Sequence, residues 1–174
     1  MMNTIGKRYA QAFYEIAEDK KQVIELYNEL KSVSEIYVKN DEFREAMKHP
    51  SLKVETKKSL IKKLFKDMSE TCLLVLCYLL EKERFDYIKD IAENYLVIYN
   101  ERNAIVNVEA TFAIKPTKEQ KERLDKKLQK MTGKKVNMSI KIDRNIIGGG
   151  LLKIDDKIID GSLRRQFEML RANF

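Results

Sequence analysis

The sequence has no tryptophan, one histidine, two prolines, two cysteines and six glycines in 174 residues. Each shortage removes a class of protein. The single histidine, His49, has no second imidazole with which to share a metal, and standing before Pro50 it reads as a surface cap at a helix end. Cys72 and Cys77 lie five apart; on a helix that sets them about 140° apart and roughly 7.5 Å along the axis, too far to close a disulfide. Both read as small core hydrophobes rather than as metal or redox groups. Long apolar runs are also missing. The longest uninterrupted one, 72–80, has nine residues, whereas crossing a bilayer takes roughly 20. The opening Met1-Met2-Asn3-Thr4 lacks the basic-then-apolar layout of a secretory signal and the Arg/Ser bias of a transit peptide. The expectation is a chain held in the cytosol or on a cytosol-facing surface. No internal repeat or low-complexity linker is visible.

What is present in quantity is charge. Charged residues make up 35 % of the chain and hydrophobic residues 44 %, with a formal net charge of +7. Residues 1–104 carry 18 Lys/Arg and 18 Asp/Glu, whereas residues 105–174 carry 16 and 9. The whole excess sits in the last part of the chain, which suggests two units with different partners.

Periodicity changes at the same place. Up to about residue 103 the chain reads as consecutive amphipathic helices. Thr4 caps a first helix bearing Ile5, Tyr9, Ala12, Phe13 and Ile16. Val23, Tyr27, Leu30, Ile36 and Tyr37 mark the second. Asn40 caps a third with Phe43 and Met47, ended by His49-Pro50. A fourth starts at Ser51 and turns Leu60, Ile61, Leu64 and Phe65 inward. Ser69 opens a fifth that is apolar nearly all round, which implies burial on several sides. Residues 84–102 form the sixth, striped by Ile88, Ile91, Tyr95 and Tyr99. From Ile105 the pattern is that of strands: Ile105, Val106, Val108, Ala110 and Phe112 first. Thr117 and Gln120 then form a capping-box pattern for a basic helix running to Met131 and stopped at Gly133. Val136, Met138, Ile140 and Ile142 alternate strictly. A Gly148-Gly149-Gly150 turn leads into a strand over 151–154, Asp155-Asp156 turns the chain, and a last helix begins at Asp160-Gly161-Ser162 with Leu163, Phe167 and Leu170 on one stripe. The expected fold is mainly α, with an N-terminal six-helix bundle (1–104) and a small α+β domain (105–174).

Motifs for chemistry fail one by one. The glycine run precedes a strand and lacks the Lys-Ser/Thr that closes a phosphate loop. Asp155, Asp156 and Asp160 do not have the spacing of a calcium loop and fit a turn and a helix cap. No nucleophile has a partner base. No catalytic, cofactor or metal residue is therefore expected. The basic helix carries Lys118, Lys121, Arg123, Lys126, Lys127 and Lys130, followed by Lys134 and Lys135. A nucleic-acid module is the alternative reading of that face. Against it, Glu119, Glu122 and Asp125 are interleaved, and no exposed strand aromatics are available for stacking bases. One positive feature is the first helix, where Tyr9 and Phe13 stand beside Ala10 and Ala12. Large next to small can leave a groove for a partner's amphipathic helix, with the fifth helix as its other wall, and the same pattern equally fits ordinary core packing.

These residues resemble a known family. The start, 8–17 (RYAQAFYEIA), is similar to the opening helix of the ATP synthase delta subunit. Phe43 to Pro50 with Lys57 or Lys58, and the 79–84 stretch LLEKER, resemble later passages of that family. The most specific match is Ile146-Ile147-Gly148-Gly149-Gly150-Leu151 followed by Asp160-Gly161-Ser162-Leu163-Arg164-Arg165. Many members have Asp-Pro where this chain has Asp143-Arg144, and an aliphatic residue at position 150. Both departures lead one to expect a slightly looser loop. The resemblance implies a non-catalytic stator subunit without cofactor, joining the catalytic head to the membrane-anchored peripheral stalk, on the cytoplasmic face and touching the membrane only through the complex. It implies two protein partners and no nucleic acid: the N-terminal helix of an alpha subunit, and the C-terminal end of the b-type stalk subunits. Carried onto this chain, the alpha-subunit groove is Tyr9, Ala12 and Phe13 with Leu74 and Tyr78. Gly149, Asp160, Gly161 and Ser162 match architectural motif positions. Phe13→Asp is expected to weaken head binding while leaving the bundle folded.

Overall fold

A computed structural model of the chain describes residues 4–146, 148–155 and 157–163. The expected final helix, with Phe167 and Leu170, and the motif residues Ile147, Arg164 and Arg165 lie outside the described residues. The chain is mostly helical with one small sheet towards its end, and it divides into two compact units, Met1–Tyr99 and Asn100–Phe174.

The first unit holds α1 (Thr4–Asp19), α2 (Val23–Lys39), α3 (Asp41–Lys48), α4 (Val54–Leu64), α5 (Glu70–Glu81), a 3₁₀ turn (Phe85–Tyr87) and most of α6 (Ile88–Arg102). Local chemistry starts several of these helices. The Asn40 side chain accepts from Phe43 N at 2.9 Å and opens α3. Ser69 does the same for α5 through Cys72 N at 3.1 Å. Glu29 on α2 reinforces that cap, because its two carboxylate oxygens accept from Ser69 N at 2.5 Å and from Ser69 Oγ at 2.6 Å. Helix α4 begins later than Ser51, at Val54, after an N-cap lysine that supplies no side-chain cap. Residues 84–102 are a 3₁₀ turn followed by α6 rather than one helix.

The core of this unit joins Phe13, Tyr14, Leu26, Leu30, Val33, Ile61, Cys72, Leu76, Leu79, Ile88, Ile91 and Tyr95, all buried. Burying one large apolar side chain contributes about 1.5–3 kcal/mol relative to leaving it exposed. An aromatic cluster closes one end, where the rings of Tyr37, Phe43, Phe65 and Phe85 pack edge to face at 5.5–6.2 Å. The Tyr37 hydroxyl donates to Asp86, and burial together with that bond pushes its phenol above the usual tyrosine range. Tyr95 crosses the centre and donates to the Val23 carbonyl at 3.1 Å. Helix α1 approaches α6 closely at Gly6, where a Cβ would come within 2.9 Å of Asp90 Cβ. Three residues placed on apolar stripes stay outside: Ile16 and Ile36 are exposed, the latter's place taken by Val33 and Tyr37, and Leu64 is 55 % exposed while Ile61 and Phe65 fill the core.

The second unit holds β1 (Ile105–Phe112), α7 (Lys118–Thr132), β2 (Lys135–Ile142), β3 (Gly150–Ile154) and β4 (Lys157–Asp160). The sheet order is β2-β1-β3-β4, with β1 and β2 parallel and the other pairs antiparallel. A parallel pair needs a crossover, which α7 provides. Its capping box is formed from both sides: Gln120 N donates to Thr117 Oγ1 at 3.2 Å and Thr117 N to Gln120 Oε1 at 2.9 Å. Gly133 ends it in the left-handed conformation, φ 66°. Val106, Val108, Leu128 and Ile154 form the core, with Leu124, Val136, Met138 and Leu152 packed around it.

The glycine turn is tightly determined rather than loose. Gly149 has φ +80°, and a Cβ there would overlap the Gly161 carbonyl oxygen. Gly161 N donates to Gly150 O and Leu163 N to Gly148 O, both at 3.0 Å. The Asp160 carboxylate accepts from Ser162 N at 2.9 Å. All four motif residues therefore belong to one backbone knot. Asp143 closes its own turn without a following proline by accepting from Asn145 N at 2.9 Å. Gly150 pairs across the sheet with Phe112, and a Cβ at 150 would come within 2.7 Å of the Phe112 ring. The space of an aliphatic side chain is occupied by the ring of its strand neighbour. Gly150→Val is therefore expected to destabilise the second unit by about 1–3 kcal/mol in chemical denaturation. Phe112→Ala introduced alongside should recover part of that loss, so a double-mutant cycle yields a coupling well away from zero.

Candidate functional site

Helices α1 and α5 run antiparallel along one side of the first unit. The rings of Tyr9 and Tyr78 lie 6.2 Å apart at one end. At the other, Lys20 Nζ donates to Thr71 Oγ1 at 3.1 Å, and Thr71 Oγ1 donates on to Gln22 at 2.9 Å. Between these contacts lies a groove of about 870 Å³, lined along α1 by Ile5, Arg8, Tyr9, Ala12, Phe13 and Ile16, just past it by Lys20, and from α5 onward by Thr71, Leu74, Val75, Cys77, Tyr78, Glu81 and Arg84. All five groove residues expected from the sequence line it.

They do so in different roles. Leu74 is 58 % and Tyr78 44 % exposed, so they form an apolar wall open to solvent. Ala12 is exposed too, and its small side chain leaves width above Phe13. Phe13 is only 2 % exposed and belongs to the core, with its ring 5.8 Å from Tyr9. It is the floor of the groove. The expectation that Phe13→Asp leaves the fold intact is thereby corrected, since a carboxylate at that depth has no partner and removes a core ring. Leu74 and Tyr78 are the residues through which the groove can be altered without touching the core. Helix α5 is buried on several sides, as its apolar sequence suggests, and leaves only the Leu74–Tyr78 stripe open.

Reading the sequence for apolar stripes overlooked the polar rim. Arg8, Lys20, Glu81 and Arg84 border the groove. Glu81 pairs with Lys58 of α4, and that bond holds its carboxyl below the usual range and raises the lysine. Cys77 is half-buried in the groove, whereas Cys72 is fully buried. Burial, helped by the nearby Glu29, pushes the Cys72 thiol up to about 12. Among the described residues no group of three or more His, Cys, Asp or Glu is placed to hold a metal. His49 ends α3, and its Nδ1 accepts from Ser51 N at 3.3 Å.

In the second unit, the sheet face opposite α7 carries Asn107, Glu109, Asn137, Ser139, Lys141 and Lys153, with Lys141 and Glu109 ion-paired at 2.9 Å. No aromatic side chain stands on it among the described residues, so it offers no base-stacking platform. Along α7 only Leu128 is fully buried and the cations are exposed. No described helix is long and apolar enough to cross a membrane.

The site is an open, largely apolar trough between two helices, with the buried Phe13 as its floor and charges at its rim. The family model described as the ATP synthase delta (OSCP) subunit matches residues 5–174. The sodium-ion-specific ATP synthase delta subunit of Ilyobacter tartaricus is 51 % identical over 94 % of both chains, and that of Propionigenium modestum 49 % over 95 % of both. The delta subunit of Fusobacterium nucleatum is 47 % identical over 97 % of both. The same fold occurs in a chain of the mitochondrial ATP synthase hexamer of Toxoplasma gondii, with a TM-score of 0.66 at 21 % identity, covering 98 % of this chain and 97 % of that one. The chain belongs to the ATP synthase delta (OSCP) subunit family, and it is a stator component of an F-type ATP synthase.

Two measurements check the site's anatomy. Leu74→Asp should leave the thermal midpoint close to that of the unaltered chain, while Phe13→Asp should lose roughly 3–5 kcal/mol of stability. At pH 8 a thiol reagent should modify Cys77 in the native chain and reach Cys72 only on unfolding, because Cys72 is both enclosed and protonated there. Equal labelling of the two in native conditions would contradict that placement.

Proposed function

We propose that the first unit acts as a six-helix bundle whose α1/α5 groove holds the N-terminal helix of an alpha subunit of the catalytic head, and that the second unit engages the end of the b-type peripheral stalk. The chain itself carries no active site and meets the membrane only through the complex. The observation that carries this reading is the exposure of Leu74 and Tyr78 above the buried Phe13, along a groove of about 870 Å³. An isolated subunit that keeps such a surface wet forgoes about 25 cal/mol for each Å² of apolar area left uncovered. A helix laid along it regains that stabilisation.

A stator has to resist torque for as long as the rotor turns. Slow dissociation serves that need, and it comes from apolar surface packed out of water. Rim charges tune recognition and approach more than persistence. On the stalk side the exposed cations of α7 match an acidic partner in sign. They are spread among Glu119, Glu122 and Asp125 on the same helix, so their net field is moderate.

Full-length chain is to be titrated by calorimetry with a synthetic peptide of the alpha-subunit N-terminal segment from the same organism. Saturable one-to-one binding is expected, weakened by more than about tenfold in Leu74→Asp, a loss equivalent to about 1.4 kcal/mol. Lack of binding, or full affinity in that variant, would place the contact elsewhere.

A further inference from the structure

The sheet of the second unit ends on an open edge. In the order β2-β1-β3-β4, strand β2 has a strand neighbour on one side only. It pairs with β1 in parallel along its whole length, Lys135–Ile142. Lys135 N donates to the Ala104 carbonyl at 2.8 Å, and past the other end Asp143 N donates to the Phe112 carbonyl at 2.9 Å. A parallel ladder turns both backbone groups of every second residue towards the same neighbour. Lys135, Asn137, Ser139 and Lys141 therefore spend theirs on β1. The N–H and C=O groups of Val136, Met138, Ile140 and Ile142 point outward. At about 3.3 Å per residue, the eight residues of β2 make an edge roughly 26 Å long.

The charge beside that edge has one sign. The carboxylates of α7 stop at Asp125, and from Lys126 to Ile142 the only charged residues are Lys126, Lys127, Lys130, Lys134, Lys135 and Lys141. All of these are exposed. Lys135 and Lys141 stand on β2 itself, on the sheet face away from α7. Lys141 is paired with Glu109 of β1 at 2.9 Å, and among the described residues Lys135 has no ion pair. On the other face of β2, Val136, Met138 and Ile140 are half-buried and Ile142 is exposed. These facts separate the kinds of chain that could lie there. Nucleic-acid phosphates accept from N–H groups but donate nothing to the carbonyls between them. A second copy pairing antiparallel about Met138 would set Lys135 of each copy opposite Lys141 of the other, and like charges directly opposite destabilise a strand pair. An extended acidic peptide satisfies the alternating backbone groups and the charge together.

We propose that the free edge of β2 is a docking site for an extended acidic segment of a partner protein, which adds a further strand to the sheet. The segment carries two carboxylates at the spacing of Lys135 and Lys141, with apolar residues at alternate positions between them. Its apolar side chains lie beside Val136, Met138 and Ile140, on the face that α7 covers incompletely. Its carboxylates meet Lys135 and compete with Glu109 for Lys141, at little cost because an exposed ion pair is a weak bond. Main-chain bonds supply the affinity and the two lysines the selectivity. The same lysines keep the edge from pairing with another copy of the chain. The edge belongs to the second unit alone, so the inference stands independently of the helix contact at the α1/α5 groove.

The probe is the peptide acetyl-Thr-Glu-Val-Thr-Val-Thr-Val-Glu-Thr-amide, titrated by calorimetry into the full chain at low salt. Two controls accompany it: the same peptide N-methylated at every residue between its glutamates, and one with lysine in place of both glutamates. Saturable one-to-one binding of the probe is expected, with each control at least about tenfold weaker. Lys135→Glu, an exposed change, should keep the thermal midpoint and bind the probe about fivefold more weakly. Amide exchange followed by NMR supplies the readout that charge alone would not move. At saturation the amides of Val136, Met138 and Ile140 should exchange at least about tenfold more slowly, while those of Asn137 and Ser139, already bonded to β1, stay as they were. Lack of binding overturns the proposal, as does equal affinity for the N-methylated peptide, which would show a charged surface without strand addition. Tighter binding of a single-stranded RNA than of the probe overturns it in favour of nucleic acid. Protection of the same amides with rising concentration of the chain alone overturns it in favour of a second copy.

Discussion

Helix α5 carries more apolar surface than its own unit can cover. Cys72, Val75, Leu76, Leu79 and Leu80 face inward, and the helix start is fastened by Ser69 and by Glu29 reaching across from α2. Leu74 and Tyr78 remain outside. The antiparallel course of α1 beside α5, fixed by the Tyr9–Tyr78 and Lys20–Thr71 contacts, turns this leftover stripe into one wall of a trough. Everything proposed about the head contact depends on that mismatch between apolar supply and internal demand. A subunit whose task is to be held needs such a mismatch, since a fully self-covered helix has nothing left with which to bind.

The second unit is built on different constraints. A sheet with one parallel pair needs its crossover helix, and α7 begins and ends where its own chemistry dictates, at the Thr117–Gln120 box and at Gly133. The β3–β4 side is tied down by contacts that leave no room for side chains: Gly149 against Gly161, and Gly150 under the Phe112 ring. Asp160, Gly161 and Ser162 take part in that knot through the backbone. Their presence in a family motif therefore has a packing reason, without any appeal to chemistry.

Much of this was legible in the chain. Caps at Asn40, Ser69 and Thr117 follow from short polar side chains placed to accept from a backbone N–H three residues on, a local event. The alternation at Val136, Met138 and Ile140 gives strand β2 because only one of its faces is covered. Other features were not legible. Leu64 and Ile36 carry the same side-chain chemistry as their buried neighbours, and helical spacing leaves both within reach of the apolar stripe. The start of α4 was misplaced at Ser51, a good cap in isolation, because the chain there turns once more before Val54. Phe13 lines the groove as its position suggests, but from a buried floor that helical spacing does not reveal.

Local composition by itself determined which stretches are helix and which are strand, where the caps sit, that the charge excess lies in the second unit, and, through the motif at 146–165, which family the chain resembles. These properties depend on residues close together in sequence. Tertiary structure alone decided which apolar residues stay exposed, that Arg8 of α1 and Arg84 beyond the end of α5 border the same groove, and that Phe112 fills the space above Gly150. Exposure and juxtaposition are set by how elements distant in sequence divide a shared surface between them. No periodicity within a single helix carries that information.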